Sequence, residues 1–167
     1  MNKALSLTRI LLAVSGLFFA IEARAKVNPV SGVSVIAALS DARELAGSRP
    51  DLKVMRVEGT SMLPYFGNGA VLVVKTLPSE KLRAGMVVVY KNRFNETVAH
   101  RLEASASTEG WIARGYNNRE SDSTAVTKDN LLGVVYATFH SDGAAADPVM
   151  LASLTTGTTI ALAAPAR

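Results

Sequence analysis

The chain contains no cysteine, which excludes disulfides, a thiol nucleophile and every thiolate metal site. Histidine is nearly absent as well: His100 and His140 are the only imidazoles, so a metal centre is not expected. Proline (6) and glycine (12) are sparse for 167 residues, and charged residues make up only 19%, figures that argue against a fibrous repeat or a disordered chain. A strong positive balance is also missing from the body of the chain. Setting aside Lys3, Arg9, Glu22 and Arg24 leaves 15 basic against 13 acidic residues, so a nucleic-acid partner has no electrostatic footing. What is present is a 49% share of hydrophobic residues, enough for one compact domain with short appendages.

Residues 1–25 read as an address. Lys3 and Arg9 supply a positive start, Ile10 to Ile21 is an apolar run, and Ala23-Arg24-Ala25 is the small-x-small pattern that precedes a cleavage point. The run has 12 residues, fewer than the roughly 18 that usually span a bilayer. A signal peptide is therefore expected, with a membrane anchor over residues 5–21 as the alternative. Both place the domain outside the cytoplasm, periplasmic or secreted, with the membrane surface as a partner.

Residues 26–52 are expected to form a linker and a short amphipathic helix. Ile36, Leu39 and Arg43 fall on one stripe of Ser34 to Ala46, Gly47 suits a helix end, and Pro50 prevents continuation. Over 53–140 the texture changes to short β-branched runs between turn residues: Val54–Val57, Ala70–Lys75, Met86–Tyr90, Thr97–Leu102, Trp111–Arg114 and Leu132–Phe139. Asn68-Gly69 and Ala84-Gly85 punctuate them, and Asn92 to Glu96 is a polar hairpin tip. A mainly β domain follows. Within the tail, 141–167, the stretch Val149 to Ala164 is compatible with an extra strand pair, a poorly ordered end or a marginal second span.

Ser61 lies in Gly59-Thr60-Ser61-Met62-Leu63-Pro64, where Gly59 frees the backbone to bend and Pro64 fixes the exit. A serine hydroxyl is a weak nucleophile without a base. His100 lies on a strand whose alternation puts Val98, His100 and Leu102 on one face. An imidazole, whose unperturbed pKa is near 6.5, can accept a serine proton around neutral pH without special burial. Of the remaining candidates, His140 reads as an exposed turn residue, Trp111 as structural or membrane-edge, and Asn95-Glu96-Thr97 as a glycosylation pattern. Val87 and Val89 are candidates for either a substrate groove or the core.

Four stretches, in order over about residues 54–136, resemble the boxes of the signal peptidase I superfamily, which includes self-cleaving repressor peptidases. Val57-Glu58-Gly59-Thr60-Ser61-Met62-Leu63-Pro64 looks like the nucleophile box. Leu82-Arg83-Ala84-Gly85-Met86-Val87-Val88-Val89-Tyr90 is similar to the next, with Met86 where an aspartate is usual. Thr97-Val98-Ala99-His100-Arg101-Leu102 resembles the general-base box in its histidine form, and Arg114 to Asp122 resembles the box written Gly-Asp-Asn-Asn-x-x-x-Asp, with Tyr116 at the first aspartate. Leu132-Gly133-Val134-Val135 matches the closing strand.

The resemblance implies a partly open, β-barrel-like domain and a serine endopeptidase needing neither cofactor nor metal. Ser61 would be the nucleophile and His100 the general base. Asp122 would orient His100, with Asp129 as a weaker substitute. The oxyanion would take the Ser61 N–H, while the serine hydroxyl that some members carry two residues earlier is Gly59 here, leaving Thr60 as a candidate helper. The implied substrate is an exported protein or precursor peptide with small residues beside the scissile bond, bound as an added strand. Two alternatives keep the fold: a degenerate peptidase-like binding domain, suggested by Gly59, Met86 and Tyr116, and a self-cleaving regulator.

Overall fold

The computed structural model describes residues 27–106 and 110–143. Residues 1–25, the expected address, and most of the tail lie outside the described residues. Among the described residues one α-helix, α1 (Val35–Ala46), precedes six strands: β1 (Leu52–Arg56), β2 (Val71–Lys75), β3 (Val87–Lys91), β4 (Thr97–Ala106), β5 (Gly110–Arg114) and β6 (Leu131–Phe139). They form a single antiparallel sheet in the order β1-β2-β6-β3-β4-β5, which does not close: β1 and β5 are its edges. The mainly β, partly open architecture with a short N-terminal helix is thus the one expected.

The strands follow the β-branched runs because valines that stiffen a helix pack well on a pleated surface. β2 is buried on both faces, so it reads as a continuous apolar run instead of an alternation. Val71 and Val73 face α1, while Leu72 and Val74 join a second cluster with Met55, Val57, Met62, Phe66, Val89 and Ala99. A third cluster lies around β3 and β4: Leu82, Val88, Tyr90, Val98, Leu102, Ala113 and Val126. Trp111 packs against it, so its role is structural. Val89 belongs to the core and Val87 packs half-buried against the same cluster, so neither forms an open groove.

Helix α1 begins at Ser34, whose Oγ accepts from the Ala37 N–H at 3.2 Å, a cap that contributes about 1 kcal/mol. It ends at Gly47, which adopts a φ of 53°. The buried stripe is not the expected one. Val35, Ala38, Leu39, Ala42 and Ala46 face the sheet, while Ile36 and Arg43 are only half-buried. The small alanines let the helix sit close on β1, β2 and β6, so they count as core even though they are weak hydrophobic markers.

The packed body runs past residue 140. Ser31 donates through its N–H to the Ser141 carbonyl at 3.0 Å and through Oγ to the His140 carbonyl at 2.7 Å. Ser141 is buried and donates to the Gly69 carbonyl at 2.8 Å. His140 is therefore not an exposed turn residue: it is half-buried, and its Nδ1 is enclosed without a partner among the described residues. Among the described residues no helix is long and apolar enough to cross a membrane.

Candidate active site

The turn that carries Ser61, the expected nucleophile, hangs between β1 and β2. Val57 pairs with Ala70 through N–H to carbonyl at 2.8 Å, and the Gly69 N–H returns to the Val57 carbonyl at 3.1 Å, closing a loop over 58–69. Met62 and Phe66 sink into the core and anchor it, while Pro64, after a cis peptide bond, is exposed. Gly59 has a φ of 117°, a conformation that side chains disfavour, and its N–H donates to Asn68 Oδ1 at 2.6 Å. These restraints leave Ser61 half-buried, with its side chain at the surface of the sheet.

The β3–β4 hairpin carries His100, the expected base. Asn92 Oδ1 accepts from the N–H groups of Phe94 and Glu96, each at 2.9 Å, and Asn95 takes the positive φ of 63° that the tight tip needs. That tip sets the register: Val88 faces His100 and Tyr90 faces Val98. His100 is buried, at 6% exposure, on the face expected from the alternation of β4. Its Nε2 lies 2.9 Å from Ser61 Oγ and its Nδ1 lies 2.6 Å from Asp122 Oδ2. Ser61, His100 and Asp122 therefore form one hydrogen-bonded line. With Nδ1 carrying the proton, it donates to the carboxylate and Nε2 accepts from the serine hydroxyl. Asp129 is exposed and makes no contact with His100; its N–H donates to Thr127 Oγ1 at 3.3 Å.

Asp122 reaches this position on the segment after β5. Its own N–H donates to the Ala113 carbonyl at 2.8 Å, and Trp111 and Val126 exchange N–H to carbonyl bonds at 2.9 and 2.8 Å. Next door, Ser121 Oγ donates to Glu103 Oε2 at 2.8 Å, and Arg114 Nη2 meets Glu103 Oε1 at 2.6 Å. The Ser121 hydroxyl, and then the arginines, hold the Glu103 carboxyl below its usual range.

Three contributors went unassigned at the level of sequence. Gly115 passes so close to the nucleophile turn that a Cβ there would meet the Ser61 carbonyl oxygen at 2.6 Å and His100 Nε2 at 2.9 Å. Asn117 clamps the same turn, its N–H donating to the Ser61 carbonyl at 2.8 Å and its Nδ2 to the Thr60 carbonyl at 3.1 Å. Tyr90, fully buried, donates its phenol to Asp122 Oδ2 at 2.6 Å. Hairpin counting would have found Tyr90. A five-residue tip between Lys91 and Thr97 puts residues 90 and 98 opposite each other, and hence 90 and 100 on one face.

A cleft of about 630 Å³ opens beside the trio, between the hairpin tip (Asn92, Arg93, Phe94) and residues 117–124. On the flank outside that cleft, Tyr116 stacks on Tyr65 with ring centres 4.1 Å apart, and the Arg101 guanidinium sits 4.8 Å from the Tyr116 ring centre. The Ser61 N–H makes no hydrogen bond among the described residues, whereas the Thr60 side chain contributes none to the site. Among the described residues no group of three or more histidine or acidic side chains is placed to hold a metal ion. Comparison with protein-family models, with curated proteins and with solved structures finds no match.

Proposed function

We propose that this chain is a serine endopeptidase of the signal peptidase I type, acting outside the cytoplasm on exported proteins or their precursor segments. The observation that carries this reading is the Ser61 Oγ to His100 Nε2 to Asp122 line, at 2.9 and 2.6 Å. Both distances fall within or at the edge of the reach that proton transfer requires, about 2.6–3.2 Å.

The chemistry runs through this chain's own groups. Ser61 Oγ attacks the scissile carbonyl carbon as its proton passes to His100 Nε2. Asp122 stabilises the imidazolium that forms and keeps the ring in the tautomer with hydrogen on Nδ1. The unengaged Ser61 N–H points to an oxyanion donor. His100 then returns the proton to the leaving amine, and water repeats the sequence on the acyl-enzyme. The cleft of about 630 Å³ beside Ser61 is large enough for several side chains of an extended peptide. Localisation and substrate class rest on residues 1–25 and on the resemblance.

The test is labelling by a fluorophosphonate probe, which reports an activated serine without requiring the natural substrate. Ser61 should be the modified residue, Ser61→Ala should abolish modification, and His100→Ala should slow it by about 10⁶-fold. A well-folded wild-type chain that takes no label would sink the enzyme reading in favour of a binding domain.

A further inference from the structure

Tyr90 and His100 are diagonal neighbours on one face of the β3–β4 hairpin, since Tyr90 pairs with Val98 and Val88 with His100. Their tips end on the same atom. Tyr90 OH donates to Asp122 Oδ2 at 2.6 Å, and His100 Nδ1 meets that oxygen at 2.6 Å. Oδ1 of the same carboxylate makes no hydrogen bond among the described residues. A buried phenol needs an acceptor, and a backbone carbonyl would serve its packing equally well. Here the acceptor is the oxygen that holds the imidazole. An O–H to carboxylate contact of 2.6 Å falls in the charge-assisted range, about 2.5–2.7 Å.

Building on the peptidase reading, we propose that Tyr90 is a positioning residue: its phenol locks the Asp122 carboxylate with one oxygen toward His100 and, by sharing that oxygen's charge, tempers the basicity of the imidazole. Rotating the carboxylate out of line would break both bonds at once, so the phenol resists the motion that would misplace His100. Burial, and then the bond to Asp122, raises the Tyr90 pKa far above the usual tyrosine range, so the group stays a donor wherever His100 titrates. The other charged groups around the trio are Arg93 and Glu96 on the hairpin tip and Arg119 and Glu120 on the loop, with Glu103 and its partners Arg114 and Arg101 behind Ser121. None of the seven is hydrogen-bonded to Tyr90, so a shifted pH profile reports the phenol.

The experiment measures the rate of Ser61 modification by a fluorophosphonate against pH, in the wild-type chain and in Tyr90→Phe, with a thermal melt of each. Tyr90→Phe should react about tenfold more slowly. The acid limb of its profile should move to higher pH, because Asp122 then gives its full charge to the imidazolium. In a Ser61→Ala background, the His100 ring titration seen by NMR should move the same way. An unchanged rate, or a slower rate with limb and titration unmoved, overturns the proposal and leaves Tyr90 a packing residue. If the wild-type chain itself takes no label, the peptidase reading fails first. Should Tyr90→Phe not fold, the wild-type chain decides alone: the Tyr90 ring carbon bearing the hydroxyl should shift in step with His100 titration, and a still resonance overturns the proposal.

Discussion

Where β1 and β2 pack beneath α1, the buried residues are Ala38, Leu39, Ala42, Ala46, Leu52, Val71 and Val73, all aliphatic. Where β3 meets β4, Tyr90, Thr97 and His100 are buried among Val88, Val98 and Leu102. The first region asks only for apolar volume of roughly the right shape, and such cores accept many exchanges. The second buries the phenol of Tyr90 and the imidazole of His100, whose neighbours are fixed by hydrogen bonds as well as by size, while Thr97 Oγ1 is enclosed without a partner among the described residues. One sheet thus carries a half that supplies stability and a half in which polar residues are held in a set geometry. Substitutions should separate the two by what they damage.

Outside the trio itself, the largest expected effect is on reactivity. Gly115→Ala places a Cβ 2.6 Å from the Ser61 carbonyl oxygen, a backbone atom that cannot swing aside, and 2.9 Å from His100 Nε2. The loop must retreat or the serine must turn, and misplacement near 1 Å costs about 100-fold in rate. Labelling of Ser61 should fall by that order, while the chain still folds with a loss of about 1–3 kcal/mol in stability. If Gly115→Ala instead unfolds the chain, the site half is as much a stability element as the other half, and the contrast fails. Leu72→Ala tests the opposite corner. Leu72 is fully buried in the cluster beneath the nucleophile turn, so its truncation should cost about 2–5 kcal/mol in denaturant unfolding. The fraction still folded should label at close to the wild-type rate. A large loss of labelling at full folding would mean that the aliphatic core tunes Ser61 through Met62 and Phe66.

The same division explains what could be read before the fold was known. Runs such as Val71–Lys75 and Val87–Lys91 announce strands because β-branching and turn punctuation are local signals. Ser61, His100 and Asp122 were legible as candidates from the boxes they resemble, and the structure brings those three together. The α1 stripe was misread because Ala38, Ala42 and Ala46 carry little apolar surface, and only the closeness of β1 and β2 gives them value. Tyr90 escaped notice because a tyrosine ending the run Val87-Val88-Val89 looks like ordinary core. Gly115 and Asn117 escaped because their partner is the backbone of a turn more than fifty positions away, a distance that only the folded chain closes.

Glu103 gives the finest test, because it ties the Asp122 segment to β4 without touching the trio. It accepts from Ser121 Oγ at 2.8 Å and pairs with Arg114 at 2.6 Å. Its carboxyl is held below its ordinary value of 4.5, chiefly by the Ser121 hydroxyl. A lowered folded pKa means that the tie is fully present above about pH 4.5 and is lost as pH falls through the lower, folded value. Hydrogen exchange over residues 115–126 should therefore quicken below that pH, while exchange in α1 stays slow. Glu103→Gln should bring part of the same loosening to neutral pH, because it keeps an acceptor for Ser121 and removes the charge that Arg114 meets. Its cost in labelling should be smaller than at Gly115 and in stability smaller than at Leu72, since the pair is solvent-screened. Equal quickening in α1 and in 115–126 would show that acid loosens the whole sheet at once, and that the two halves are not separate units.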